Sequence, residues 1–149
     1  MKPLGKVAPR HAQEVTASNW SIGAETMDRD YTLYNNWKSY LGPLGIKKAR
    51  IQAGWAKTEF EIGKYNFAWL DSTIYDMVAQ GVEPWINLSY GNPLYADGGE
   101  TQLGAAMPKQ PQSIAAFSAW AKLVAARYRE VVDEYEIWNE GTAQQEKHH

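Results

Sequence analysis

The sequence predicts an α/β chain of the (β/α) TIM-barrel type, a half-barrel of four parallel strands and three helices, and three observations lead there. Strand-like and helix-like segments alternate in the order βαβαβαβ, and helical crossovers between strands call for parallel pairing. The strand-like segments have one apolar and one polar face. An open sheet covered by helices on both sides is apolar on both, whereas a barrel has helices outside and functional groups in its lumen. Finally, 149 residues can bury a domain core but fall short of the roughly 250 of a complete eight-stranded barrel.

The elements follow in order. Residues 1–15 read as an N-terminal arm and 16–149 as the half-barrel. Residues 16–24 form the first strand. Asp30 is placed to cap a helix in which Tyr34, Trp37 and Leu41 recur at helical spacing, ended by Gly42, Pro43 and Gly45. Residues 48–54 are the second strand, with Ala49, Ile51 and Ala53 on one face and Arg50 and Gln52 on the other. The next helix is capped near Asn66, carries Leu70, Ile74, Met77 and Val78 on one face, and stops at Gly81. Residues 83–89 are the third strand, where Ile86 and Leu88 oppose Asn87 and Ser89. A loop of about twenty residues follows, a length that is usually functional inside a compact domain. Pro111 and Ser113 open the third helix, with Ile114, Phe117, Ala121, Val124 and Tyr128 expected inward. Residues 131–139 are the fourth strand, where Tyr135 and Ile137 oppose Glu136, Trp138 and Glu140.

Composition narrows the function classes. A net charge of -2 gives no reason to expect nucleic acid or a membrane surface as a partner. The absence of cysteine excludes a disulfide scaffold, a thiol nucleophile and thiolate zinc. Two of the three histidines are the last two residues, His148 and His149, which fit a tag as well as native sequence, so no metal site is expected on them. No apolar run reaches membrane-spanning length, and the N-terminus lacks a signal-peptide core. Localisation stays open: a soluble chain is expected, and a secreted or periplasmic one with its signal removed is equally compatible. The unusual feature is seven Trp and nine Tyr. Rings with polar tips pack cores, and they also stack on pyranose faces.

The chemistry-bearing segment is Tyr135-Glu-Ile-Trp-Asn-Glu140, followed by Gly141. Barrel active sites lie where strands give way to loops, so Asn139 and Glu140 fall where catalysis is expected. Glycoside hydrolysis needs a carboxylic acid to protonate the leaving oxygen, and a retaining enzyme needs a second carboxylate about 5–5.5 Å away. Glu140 can be the first, given a raised pKa at neutral pH, and an amide such as Asn139 can hydrogen-bond a sugar hydroxyl. Strict alternation puts Asn139 and Glu140 on opposite faces, and a bulge at the strand end would reconcile them.

Three stretches resemble the first half of a clan A retaining glycoside hydrolase, a group that includes families 5, 39 and 42. These are Ala49-Arg-Ile-Gln-Ala-Gly-Trp55, then Glu59-Phe-Glu-Ile-Gly-Lys-Tyr-Asn-Phe67 with Leu70-Asp71, and Glu136-Ile-Trp-Asn-Glu140. The resemblance implies that Glu140 is the acid/base, that Asn139 contacts substrate, and that Arg50 lies beneath the active site and steadies a nucleophilic carboxylate. It also implies a nucleophile at the end of a seventh strand. That residue would come from a complementary C-terminal half-barrel, or the chain would self-associate. The substrate class is an oligo- or polysaccharide, and no cofactor is needed.

Other candidates carry two readings each. Arg50 either serves a nucleophile or pairs structurally with Glu136, which alternation places on the same face. Trp55, Tyr90, Asn92 and Tyr95, just past the second and third strands, are sugar contacts or packing residues; Trp138 is lumen packing or a ligand contact; Glu25 is a hydroxyl acceptor or a solvated loop residue. At the level of function, the alternatives are a non-catalytic carbohydrate-binding or engineered half-barrel, and another barrel enzyme in which Trp-Asn-Glu is coincidental.

Overall fold

The computed structural model of the chain describes residues 2–139. In chain order the elements are β1 (Ser21–Gly23), β2 (Lys48–Gln52), the single turn α1 (Trp55–Thr58), a hairpin of β3 (Glu59–Glu61) and β4 (Lys64–Tyr65), α2 (Ala68–Ala79), β5 (Glu83–Leu88), α3 (Pro111–Tyr128) and β6 (Tyr135–Ile137). Four of the strands form one sheet ordered β1-β2-β5-β6, and every pairing in it is parallel. The fold class is the expected one. No described helix is long and apolar enough to cross a membrane.

The apolar face of the sheet carries the core. Ala49, Ile51 and Ala53 with Ile86 are fully buried there, and α2 contributes Leu70, Ile74 and Met77 to the same cluster. From α3 come Phe117, Trp120, Val124 and Tyr128 at three- and four-residue spacing, the period of one helix face. The ends follow local rules. Asn66 Oδ1 accepts the Ala68 N–H at 2.9 Å at the start of α2, and Pro111 takes the first position of α3, where a missing N–H costs nothing. At Gly81 the backbone turns left-handed (φ 81°) to leave α2.

Several local expectations are corrected. Residues 30–41 are not an α-helix: three short 3-10 turns stand at Met27–Arg29, Tyr34–Asn36 and Lys38–Tyr40, and Asp30 ends the first of them at φ 59°. The helical spacing was real but had another cause. Tyr34 reaches across to Asp76 Oδ2 on α2 at 2.7 Å and meets Trp37 edge-on at 5.1 Å, while Asn35, Asn36 and Ser39 offer little helix propensity. Ile114 is 46 % exposed, and Ser113 is buried beside it instead, so the inward face of α3 begins one residue earlier than expected. The outer strands are shorter than expected, three residues each.

The N-terminal segment is an arm only in part. Leu4 and Val7 are exposed, but Ala12 is buried, with its N–H on Gly42 O at 2.8 Å, and Gln13 Nε2 donates to Ala79 O at 3.0 Å. Residue 81 must be glycine for this to fit, because a Cβ there would lie 2.8 Å from the Gln13 backbone nitrogen.

A tie between the helices gives a testable pH effect. Asp71 on α2 accepts Arg127 Nε at 2.6 Å and Tyr128 Oη at 2.8 Å from α3. The Arg127 guanidinium, helped by Tyr128, holds the Asp71 carboxyl below its usual range against the opposing effect of burial. A depressed folded pKa contributes stability above the unfolded value of about 3.9, and this is lost as pH falls through the folded value. Asp71→Asn is therefore expected to cost about 0.5–1 kcal/mol at neutral pH, the range of a solvent-screened ion pair, the Asp71 and Arg127 side chains being 25 % and 45 % exposed. It should also flatten the fall in stability below pH of about 4. Urea unfolding across pH checks both.

Candidate functional site

The polar face of the sheet is organised by Arg50, whose side chain is 13 % exposed. From β2 it reaches over β5 to β6, where Nε donates to Glu136 Oε2 at 2.8 Å and Nη2 lies 2.7 Å from the same oxygen as an ion pair. Its Nη1 pairs with Glu25 in the loop after β1, and its guanidinium lies 5.4 Å from the centre of the Trp85 ring. Burial works against the Arg50 charge; the bonds to Glu136 and Glu25 outweigh it and raise the pKa. Of the two roles open to Arg50, the pairing with Glu136 is present, and Glu25 shares it.

Asn139 joins this network although strict alternation would send it to the other face. Trp138 turns the chain: its backbone is left-handed (φ 63°), its carbonyl accepts Asn87 Nδ2 at 2.5 Å, and its indole N–H donates to Ala105 O at 3.0 Å. The departure from alternation is made at this single left-handed residue, and the bulge expected to reconcile Asn139 with Glu140 involves a residue outside the described ones. As a result Asn139 Oδ1 accepts from Arg50 Nη2 at 3.3 Å, and Nδ2 donates to Tyr90 Oη at 2.7 Å. Tyr90 in turn receives Gln52 Nε2 at 3.4 Å. Gln52 Oε1 accepts Arg29 Nη2 at 2.8 Å, and Arg29 lies 5.2 Å from the Tyr90 ring centre. Both ends of the Asn139 amide are therefore oriented by the protein. Asp28, beside Arg29, is buried, and burial pushes its carboxyl upward more than Arg29 lowers it.

Among solved structures the chain is similar to a β-glucosidase from Exiguobacterium marinum, with a TM-score of 0.56 and 16 % identity over 75 % of this chain and 25 % of that one. The fold is glycosidase-like. The likeness shows the fold alone, since fold does not carry function with it, and the chain spans about a quarter of that enzyme's length. No family model matches the sequence, and no curated protein matches it either.

Within this glycosidase-like half-barrel, Arg50, Tyr90, Asn139 and Glu25 come together at the carboxyl ends of the strands, where a barrel places its chemistry. Three other candidates lie elsewhere. Trp55 is fully buried, bonds Glu59 through Nε1 at 2.6 Å, and stacks on Tyr95 and Trp120. Asn92 is 1 % exposed and spends its amide on Glu59 O and Leu94 N. Trp138 packs against Tyr90 and against Phe117 of α3, on the helix side rather than in the lumen. Glu140 lies outside the described residues. Among those residues no group of His, Cys, Asp and Glu is arranged to hold a metal.

Two members of the network were not singled out in the sequence. Gln52 could have been, because alternation already put it on the polar face one step beyond Arg50. Arg29 stands in a non-periodic loop and offered no such signal.

Proposed function

We propose that this chain supplies the general acid/base of a retaining O-glycosyl hydrolase, with Glu140 as that residue and Asn139 as the amide that orients a sugar hydroxyl next to it. The observation that supports this reading most is the turn at Trp138, which sets the residue preceding Glu140 on the polar face with both ends of its amide held. Tyr90 and Arg50 position that amide. Glu25 completes the rim as a partner of Arg50.

The second carboxylate is proposed to come from a complementary C-terminal half-barrel, and the substrate to be an oligo- or polysaccharide. β1 and β6 form the two edges of the described sheet. An edge strand presents unpaired N–H and C=O groups, so a complementary half or a second copy of the chain is the proposed partner. A nucleophilic carboxylate arriving there would meet an Arg50 already holding Glu25 and Glu136, and would have to share it.

Hydrolysis of a panel of aryl glycosides tests the reading, with the chain alone, with a co-expressed C-terminal half-barrel carrying a nucleophilic glutamate, and with Glu140→Gln in both settings. Activity is expected only in the mixture, and Glu140→Gln should lower it by about 10²–10⁴-fold, the usual range for general acid/base catalysis. Full activity of Glu140→Gln would reject the assignment. Saccharide binding without turnover in every mixture would favour the non-catalytic alternative.

A further inference from the structure

Every hydrogen bond that reaches Tyr90 has a fixed direction, because each chain of them starts at an arginine. A guanidinium donates and never accepts. Arg50 Nη2 therefore takes Asn139 Oδ1 at 3.3 Å as its acceptor, and Nδ2 is left to donate to Tyr90 Oη at 2.7 Å. Arg29 does the same to Gln52. Its Nη2 takes Oε1 at 2.8 Å, which the Thr26 N–H also reaches at 3.4 Å, and Nε2 is left to donate to Tyr90 Oη at 3.4 Å. The Tyr90 oxygen thus receives two hydrogens. A phenol also has one of its own to give, and among the described residues no oxygen is placed to receive it.

Tyr90 and Gln52 are each 1 % exposed, so bulk water offers little to this hydrogen, and an unmet buried donor is costly. Asn139, which touches the phenol, is only half-buried at the strand ends. A group resting on its amide is within reach of the Tyr90 hydroxyl. That amide also has a use for such a group. A carbonyl oxygen carries two lone pairs, and Oδ1 gives one to Arg50. Tyr90 and Asn139 thus present a donor beside an acceptor, and a hydroxyl, which both donates and accepts, satisfies the two at once. A carboxylate would meet the hydrogen but not the lone pair. It would also enter beside Glu25 and Glu136, which already share the Arg50 guanidinium.

We propose that Tyr90 contacts the substrate of the glycosidase site, giving its hydroxyl hydrogen to a sugar hydroxyl that returns its own to Asn139 Oδ1, and that Arg29, acting through Gln52, keeps that hydrogen free. This role rests on the glycosidase reading above. Turned end for end, the Gln52 amide would offer Tyr90 an acceptor and take the hydrogen from the ligand. Arg29 and Gln52 are positioning residues in this scheme.

The decisive variant is Gln52→Glu. It keeps the volume and the bond to Arg29, and leaves Tyr90 Oη as acceptor for Asn139, but its carboxylate accepts where the Gln52 amide donates and so draws the phenolic hydrogen. The full chain is titrated with a panel of neutral di- and trisaccharides, followed through the Tyr90 backbone amide and the Asn139 side-chain amide by NMR. Both are expected to shift in the wild type. Gln52→Glu should bind the same saccharide roughly two- to tenfold more weakly, the range of one net hydrogen bond, with the Asn139 resonances of the free chain at their wild-type positions. Tyr90→Phe should lose at least as much, and Gln52→Glu added to it should lose nothing further. Arg29→Met, which lets the Gln52 amide turn over, should lose part of the same affinity. Wild-type affinity in Gln52→Glu would overturn the role of Tyr90 while leaving the function reading standing, as would a loss accompanied by displaced Asn139 resonances. A loss that disappears in a Glu140→Gln background would assign the hydrogen to the Glu140 carboxyl and overturn the proposal. A wild-type chain that binds no saccharide of the panel would count against both.

Discussion

Glu59→Ala is expected to destabilise the chain by about 3–4 kcal/mol, as the sum of buried donors left without an acceptor, measured as a lower urea midpoint with an unchanged slope. Glu59 is fully buried and satisfied. Its carboxylate accepts Trp55 Nε1 at 2.6 Å, Tyr95 Oη at 2.6 Å and Gly63 N at 2.8 Å, and its backbone oxygen accepts Asn92 Nδ2 at 3.0 Å. One side chain thus fastens α1, the β3–β4 hairpin and the loop after β5 to one another. Glu59→Gln keeps the volume but turns an amide donor toward other donors, and should cost less, about 1–3 kcal/mol. The Tyr95 phenol offers an independent readout. Burial, then the hydrogen bond to Glu59, pushes its pKa up, so ultraviolet titration of Glu59→Gln should show a tyrosine moving down. A Glu59→Ala chain with the wild-type midpoint would show that the loops are held by packing alone.

Arg50→Met is expected to cost about 2–3 kcal/mol, somewhat below the 3–5 kcal/mol of a fully buried pair, because the Glu25 and Glu136 side chains are 38 % and 37 % exposed. Methionine nearly conserves the aliphatic bulk, so the loss is electrostatic. It leaves two like charges facing each other and frees the Asn139 amide oxygen. Restoring neutrality should recover most of it: the triple variant with Glu25→Gln and Glu136→Gln is expected to unfold within about 1 kcal/mol of wild type, as replaced buried ion pairs often do. A single Arg50→Met variant as stable as wild type would show that the network contributes orientation without stability.

What could be read from the sequence depended on whether a residue's position was decided locally. β2 and β5 were visible because alternation over several residues directly reports which side chains face the helices, and the same alternation put Arg50 and Glu136 on one face, where they pair. The starts of α2 and α3 were visible because Asn66 and Pro111 act within one turn. Asn139 was harder: its approach to Arg50 depends on the backbone of Trp138, which is set by Asn87, Ala105 and two rings distant in sequence. For Trp55 and Asn92 alternation left both readings open, and both residues pack: the chain leaves β2 through left-handed Gly54, which precedes the buried Trp55, and Asn92 is held by Glu59 O and Leu94 N. Glu59 gave no warning, since a lone glutamate in a polar hairpin looks solvated until three loops close over it.

The left-handed backbone at Trp138 also makes the indole a gauge of the amide beside it. An L-residue in that conformation carries a cost of about 1–2 kcal/mol, borne here only while Tyr90, Phe117 and Ala105 grip the ring. Loosening that grip lets residue 138 relax to extended geometry, and extended geometry swings Asn139 off Arg50 and Tyr90. Linkage runs equally in reverse: whatever clasps the amide must tighten the indole in its seat. The indole N–H resonance of Trp138 and the pointing of Asn139 are then two readings of one equilibrium.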